Sequence, residues 1–134
     1  MSEKQIEQAL VKAVKSAGGL CLKWVSPGWD GAPDRIVLFG DSYIGRIAFV
    51  EVKAPGGKVR KIQRVRHQQL RKLGFKVFVL DDPNYIPMII EEIFLMFKLV
   101  LEKAEEPEIK LPTSAGSSKK QESSLRQNFS DKLL

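Results

Sequence analysis

The chain has 134 residues, 43% of them hydrophobic and 28% charged, as in a soluble globular protein with one compact core. The net charge of +6 and the pI of about 9.5 permit an anionic partner such as nucleic acid. A single cysteine, Cys21, excludes a disulfide framework and suits a reducing compartment, so we expect a cytoplasmic protein.

Neither a signal peptide nor a membrane span is expected from the sequence. The first ten residues, MSEKQIEQAL, are charged and lack the apolar segment of a signal peptide. The most apolar stretch, YIPMIIEEIFLMFKLVL at 85–101, is interrupted by two glutamates and a lysine. We therefore expect no membrane partner.

The first part of the chain predicts a helix, a short strand and a loop. Apolar residues recur at helical spacing over 3–17, and Gly18-Gly19 supplies a C-terminal stop. The apolar run 20–25 predicts a strand, and SPGWDGAP at 26–33 is dense in turn residues and predicts a loop.

The middle and end of the chain predict a hairpin, two helices and a last strand. DRIVLF and RIAFVEVK are strands linked through GDSYIG. A helix at 61–73 is followed by a strand at 75–80 and by a third helix at 85–103 with Pro87 in its first turn. Apolar spacing predicts that the second helix turns four residues inward: Ile62, Val65, Leu70 and Leu73.

The order α-β-β-β-α-β-α predicts an α/β fold in which helices flank a small mixed sheet. From Ala104 the sequence becomes polar and rich in Ser, Lys and Glu. We therefore predict one domain at 1–103 and a largely disordered tail at 104–134. The apolar third helix is a candidate subunit interface, with packing across the open sheet as the alternative.

The charged residues of the hairpin indicate a metal site. If the turn centres between Ser42 and Tyr43, Asp34 lies opposite Glu51, where two carboxylates repel each other. A divalent cation would reverse that repulsion, and oxygen ligands without a Cys/His cluster favour Mg²⁺ or Mn²⁺ over Zn²⁺. Lys53 shares a face with Glu51 and could orient or deprotonate a water or stabilise charge on a phosphate.

The hairpin charges and Glu7 each allow a second interpretation. The charges could instead form surface ion pairs, Lys53 with Glu51 and Arg35 with Asp34, although the apolar strands favour the buried metal site. Glu7 borders the apolar face of the first helix and could add a metal ligand, or it could be an acidic residue favoured by the helix dipole.

A basic segment follows Lys53 and predicts nucleic-acid contact. Residues 54–80 contain no Asp or Glu, whereas a merely solvated helix face normally mixes both signs. Basic arrays of this kind bind phosphates and position the backbone. We predict DNA contacts at six residues: Lys58, Arg60, Lys61, Arg64, His67 and Arg71.

Two residues in or near this segment, His67 and Trp29, each allow two interpretations. His67 could contact a phosphate or position the substrate, or it could be an ordinary histidine on the helix surface. Trp29 stands in a glycine-flanked loop just before Asp34. It could stack on a base, or it could pack beneath the sheet.

Three blocks of the sequence together resemble one nuclease family. SPGWDGAPDRIVLF, FVEVKAPGGKVRKIQ and RHQQLRKLGFKVFVLDD are similar to the VRR-NUC domain, the virus-type replication-repair nuclease module, in the stand-alone form found in bacteriophages. The module belongs to the PD-(D/E)xK superfamily, and the resemblance covers roughly residues 3–95. Pro33-Asp34 matches the PD element and Glu51-Val52-Lys53 the ExK element.

The resemblance implies a restriction-endonuclease-like core and a DNA nuclease that depends on Mg²⁺ or Mn²⁺. It implies metal-binding positions at Glu7, Asp34, Glu51 and Val52. It also implies catalytic roles for Asp34, Glu51, Lys53 and Gln63, the last being the glutamine that the family carries after ExK.

The resemblance further implies a substrate and a setting. Stand-alone members resemble homodimeric Holliday-junction resolvases, and larger relatives act on flaps and crosslink intermediates. We therefore expect a homodimeric nuclease of branched DNA, with four-way junctions favoured, in the replication, recombination or repair of a phage or bacterium. The alternatives are a non-catalytic DNA-binding accessory protein and a flap or structure-nonspecific nuclease.

Overall fold

The computed structural model describes the backbone of residues 1–104 and the side chains of residues 1–95. The tail predicted at 104–134 lies outside the described residues except for Ala104. The predicted order of elements is confirmed. The elements follow one another as α1 (Glu3–Ser16), β1 (Leu20–Lys23), β2 (Arg35–Gly40), β3 (Gly45–Val52), α2 (Lys61–Lys72), β4 (Lys76–Leu80), a 3₁₀ turn (Pro83–Tyr85) and α3 (Ile86–Ala104).

The four strands form one mixed sheet in the order β1-β2-β3-β4. β1, β2 and β3 pair antiparallel, and β3 pairs parallel with β4. The register of the hairpin is the predicted one, since Arg35 pairs with Val50 and Gly40 with Gly45. Asp41 closes the turn, because its carboxylate accepts hydrogen bonds from the N–H groups of Tyr43 and Ile44 at 2.8 and 2.9 Å.

One face of the sheet carries the main apolar core. α1 begins with a capping box between Ser2 and Gln5, and it turns Ile6, Leu10 and Val14 onto the sheet. α3 packs on the same face through Ile86, Ile89 and Ile93. The strands contribute the inward-facing side chains of alternate positions, among them Val37, Phe39, Ala48, Val50, Val52 and Leu80.

The other face is covered by α2, and its interior differs from the prediction. Val65 is 41% exposed and Leu73 is 74% exposed, so the expectation that both point inward was wrong. The buried residues of α2 are Gln63, His67 and Leu70. This face also holds an aromatic cluster, in which Trp24 packs against Phe49 and Trp29 with ring centroids 5.0 and 5.7 Å apart.

The position of α3 bears on two expectations. Its inward isoleucines fill the core, as the packing alternative required, and Pro87 lies in its first turn as predicted. Met88, Phe94 and Leu95 remain between 40% and 48% exposed. Within the described residues, no helix combines the length and the apolarity needed to cross a membrane.

Candidate active site

Asp34 is anchored at the point where β2 begins. Its backbone carbonyl accepts a hydrogen bond from the Trp24 N–H at 2.9 Å, which extends the β1–β2 ladder by one bond. Its Oδ2 accepts a hydrogen bond from the Val52 N–H at 2.8 Å. The Asp34 side chain thus accepts from a β3 N–H group that lies beyond the last β2–β3 pair, Arg35 with Val50. This hydrogen bond fixes the carboxylate at the end of the hairpin.

Glu51 lies opposite Asp34 and is almost completely buried. Strand alternation turns Glu51 toward α2, whereas Val50 and Val52 enter the core on the other face. The side chain of Glu51 is 2% exposed. A buried carboxylate needs hydrogen bonds or an opposite charge, and two neighbouring residues supply them.

Gln63 is the first of these neighbours. Its Oε1 accepts a hydrogen bond from the Arg60 N–H at 2.9 Å, and its Nε2 donates to Glu51 Oε1 at 2.7 Å. The backbone donor fixes the orientation of the amide, because only an oxygen can accept that bond. The first turn of α2 therefore uses one side chain to cap its own N-terminus and to hold Glu51.

Lys53 is the second neighbour of Glu51. It follows β3 directly, and its N–H donates to the Leu80 carbonyl at 2.8 Å, so the backbone continues the pairing with β4. Its Nζ lies 3.4 Å from Glu51 Oε1, and its side chain is 15% exposed. The ion pair between Lys53 and Glu51 is thus present, but it does not lie at the surface, because Glu51 is buried and Lys53 is half-buried.

The electrostatics of Glu51 differ strongly from those of an ordinary glutamate. Burial, followed by repulsion from Asp34, raises its pKa to about 7, although Lys53 acts in the opposite direction. The second carboxylate oxygen, Oε2, is buried and has no hydrogen-bond partner among the described residues. A positive charge placed beside Oε2 and Asp34 would remove both the repulsion and the unsatisfied acceptor.

The residues present therefore suit a hard divalent cation. Mg²⁺ usually takes only one or two carboxylates from the protein and fills its other positions with water and phosphate oxygens. Asp34 and Glu51 provide such a pair, and Val52 adds a backbone carbonyl at the same strand end. Among the described residues, no three His, Cys, Asp or Glu side chains cluster closely enough to bind a metal by themselves.

Glu7 has a different partner in the structure. Its Oε1 accepts a hydrogen bond from Arg35 Nε at 2.7 Å, which forms a half-buried salt bridge between α1 and β2. The alternative pairing of Arg35 with Asp34 was therefore wrong. The structure brings Asp34, Glu51, Lys53 and Gln63 together. The metal and catalytic roles of these residues, and the metal role of Glu7, stay predictions.

The loop before Asp34 is fastened to α2. Gly31 has φ +87°, and a Cβ atom there would lie 3.0 Å from the backbone carbonyl carbon and oxygen of Ile62. Arg66 donates through Nε to the Asp30 carbonyl at 2.8 Å, and its guanidinium lies 4.8 Å from the Trp29 ring centroid. Trp29 is half-buried against Trp24, which agrees with the packing interpretation of this tryptophan.

The predicted DNA contacts divide into exposed and buried residues. Arg71 donates through Nη2 to the Val77 carbonyl at 2.8 Å, although Arg71 as a whole is exposed to solvent. His67 is 2% exposed, so its interpretation as a surface histidine was wrong. The exposed residues of the predicted set are Lys58, Arg60, Lys61, Arg64 and Arg71.

His67 lies one turn after Gln63 on the inward side of α2. Its Nε2 is buried and has no hydrogen-bond partner among the described residues. Burial is the main cause that lowers the pKa of His67, and the positive charges of Arg71 and Lys53 add to it. Burial and these positive charges thus favour the neutral imidazole, while Asp34 acts in the opposite direction.

Sequence reasoning missed two features of this site. Arg66 fastens the loop to α2, yet it stands in the sequence as one of several similar arginines. The inward direction of His67 was missed as well, although Gln63, His67 and Leu70 recur at helical spacing and could have indicated it. The apolar Val65 and Leu73 obscured that signal.

Comparisons with known proteins found a related nuclease and a related fold. The chain is 47% identical over 82 residues to "Putative nuclease p44" of Acyrthosiphon pisum secondary endosymbiont phage 1, a match that covers 61% of this chain and 85% of that protein. A solved structure described as "VRR_NUC domain" superposes with a TM-score of 0.60 at 29% identity, over 68% of this chain and 97% of the other. No family model matches the chain.

Proposed function

The chain belongs to the VRR-NUC family and is a nuclease of that type, and we propose that it is a DNA endonuclease dependent on Mg²⁺ or Mn²⁺. One observation carries the proposal. Glu51 is buried and faces Asp34, and its Oε2 has no hydrogen-bond partner within residues 1–95. The Lys53 ammonium lies 3.4 Å from its other oxygen. Two carboxylates and a lysine in this arrangement suit hydrolysis of a phosphodiester bond.

Asp34, Glu51 and the backbone carbonyl of Val52 would hold the cation, with Glu7 as a further predicted ligand. When bound, Mg²⁺ or Mn²⁺ would polarise a phosphate oxygen and favour the ionisation of water. Glu7 would reach this position only by leaving Arg35, since the two are joined at 2.7 Å.

The other residues of the site have separate roles. Lys53 presents a half-enclosed ammonium, which stabilises negative charge as it develops on the phosphate and orients the attacking water. Gln63 keeps Glu51 in one orientation through the 2.7 Å bond. His67 Nε2, which has no partner among the described residues, is available for a hydrogen bond within the site.

DNA would approach over the exposed basic residues of α2 and of the segment before it. Lys58, Arg60, Lys61, Arg64 and Arg71 contact phosphates in this proposal, which gives affinity that falls with salt. His67 would reach a phosphate only after a local movement, because it is buried.

The finer parts of the proposal concern substrate and assembly. The likeness to stand-alone VRR-NUC nucleases supports branched DNA, with the four-way junction as favoured substrate, in phage or bacterial replication, recombination or repair. A homodimer would place two sites on two strands, and the exposed residues of α3 are its candidate interface. The proposal also places the protein in the cytoplasm and the nuclease domain at residues 1–103.

Cleavage of end-labelled DNA tests the proposal. Linear duplex, flap, splayed-arm and four-way-junction DNA would be incubated with wild type and Lys53→Ala in Mg²⁺, Mn²⁺ or EDTA. We expect metal-dependent cutting by wild type, with paired symmetric cuts on the junction, and a loss of about 10²–10³-fold or more in Lys53→Ala.

Binding of the same DNAs in EDTA is the control, and Lys53→Ala should bind almost as well as wild type. Equal cutting of all DNAs would contradict the junction preference alone. Absence of metal-dependent cutting on every DNA, with binding intact, would contradict the nuclease and favour a DNA-binding accessory protein.

A further inference from the structure

A groove runs between α1 and the β1–β2 edge of the sheet, away from the basic surface of α2. Its volume is about 540 Å³. The α1 residues that line it recur at helical spacing and form one stripe along the helix. The groove is lined by Lys4, Glu7, Gln8, Val11, Lys12, Lys15, Lys23 and Arg35.

The charge of this groove has one sign. Glu7 and Arg35 neutralise each other in their 2.7 Å salt bridge, which leaves four exposed lysines: Lys4, Lys12, Lys15 and Lys23. Within residues 1–95, none of the four pairs with a carboxylate. We call Lys4, Lys12, Lys15 and Lys23 the lysine groove.

The lysine groove begins one residue from the active site. Lys23 and Arg35 are paired across β1 and β2, and the next bond of that ladder joins the Trp24 N–H to the Asp34 carbonyl at 2.9 Å. Successive side chains of a strand alternate between the faces. Arg35 therefore points to the face that carries α1, whereas Asp34 belongs with Glu51 on the face that carries α2.

We propose that the lysine groove binds the phosphate backbone of the DNA, so that DNA in the active site passes around the β1–β2 end of the sheet and contacts both of its faces. This inference rests on the proposed function and extends it. Lys4 and Lys15 are separated by about 16 Å along α1, which corresponds to about five base pairs of duplex. Lys23 pairs with Arg35, the residue after Asp34, so it extends the positive charge of the groove toward the site.

The test removes the charge of two lysines of the groove and compares this variant with one that keeps the charge. Lys12→Ala/Lys15→Ala would be made in the whole 134-residue chain, with Lys12→Arg/Lys15→Arg as the matched control. The arginine variant changes the same two side chains and keeps both positive charges.

Binding of a 30-bp duplex and of a four-way junction would be measured in EDTA over a series of NaCl concentrations. Each lost phosphate contact makes the slope of log K against log salt about 0.9 less negative, so we expect a change of about 1.8 in Lys12→Ala/Lys15→Ala. The arginine variant should keep the wild-type slope.

Two outcomes separate this inference from the proposed function. A wild-type slope in Lys12→Ala/Lys15→Ala, with its melting temperature unchanged, would overturn the lysine groove as a DNA site even if the protein cuts DNA. The groove variant should also cut at the wild-type rate once DNA is saturating, because it loses binding and not chemistry. If the wild type cut no DNA while the groove variant still lost salt-dependent affinity, the nuclease proposal would fail and the groove would stand.

Discussion

The two faces of the sheet are built from the same strands but contain different interiors. The face under α1 and α3 is filled by aliphatic side chains and Phe39. The face under α2 buries three polar residues, Glu51, Gln63 and His67, beside a small aromatic cluster. Glu51 and Val52 are consecutive residues of β3, yet one belongs to each interior.

The face under α1 and α3 stabilises the fold, whereas the face under α2 contains features that destabilise it. Burial of aliphatic side chains on the α1 face is favourable and needs no hydrogen-bond partner or opposite charge. On the α2 face, burial raises the pKa of Glu51. Two buried atoms there, Glu51 Oε2 and His67 Nε2, have no hydrogen-bond partner in the part of the chain whose side chains are described. Each of these features costs stability. Such costs are typical of a site that completes its interactions only with a ligand.

Substitution of one buried leucine on each face would separate the two interiors most clearly. Leu10→Ala and Leu70→Ala each leave a cavity and should each lower the free energy of unfolding by about 2–5 kcal/mol. Only Leu70 belongs to α2, which positions Gln63, so only Leu70→Ala should also lower the cleavage rate of the folded enzyme. Urea unfolding and single-turnover cleavage would be measured on both variants; an equal rate loss in Leu10→Ala would contradict the separation.

The pH dependence of stability gives the next largest effect. The pKa of Glu51 is about 7 in the folded protein against an ordinary value of 4.5, so the folded state binds the proton more tightly. This stability is fully present below pH 4.5 and is lost as the pH rises through about 7. In EDTA, Glu51→Gln should therefore be more stable than wild type at pH 8, by at most about 3 kcal/mol, and the advantage should vanish at acidic pH.

Thermal or urea unfolding at several pH values checks this expectation. Glu91→Gln, at an exposed position of α3, is the matched control and should follow the wild-type profile. A wild-type profile in Glu51→Gln would show that Glu51 is not the source of the pH dependence.

The smallest expected effect concerns the loop before Asp34. Arg66→Ala removes the hydrogen bond to the Asp30 carbonyl and the cation–π contact with Trp29, so it should cost about 1–2 kcal/mol of stability. Arg66→Lys keeps the charge and should recover part of the loss. Unfolding detected by the fluorescence of Trp24 and Trp29 measures this stability. An unchanged free energy of unfolding in Arg66→Ala would show that Gly31 and the aromatic cluster hold the loop without Arg66.

The sequence was sufficient to predict the hairpin and its carboxylate pair. Strand alternation and a turn between Ser42 and Tyr43 leave only one register that buries Val50 and Val52, and this register brings Asp34 opposite Glu51. The interior of α2 was not predictable in the same way. Apolar periodicity places Val65 inward, but the buried carboxylate of Glu51 makes the polar Gln63 the better inward residue.

The salt bridge of Glu7 illustrates a second limit of sequence reasoning. Its partner, Arg35, is 28 residues away, and the contact depends on how α1 lies across the sheet. A helical wheel shows that Glu7 borders the buried face, but it does not show which strand residue meets it. The lysine groove arises from the same packing and was likewise not visible in the sequence.

Direct binding of Mn²⁺ tests the polar face of the sheet most directly. Calorimetric titration would compare wild type with Asp34→Asn, Glu51→Gln and Glu7→Gln in the absence of DNA. We predict binding by wild type, at least about tenfold weaker binding in Asp34→Asn and Glu51→Gln, and a smaller loss in Glu7→Gln. Equal Mn²⁺ affinity in wild type, Asp34→Asn and Glu51→Gln would contradict a metal site at this carboxylate pair.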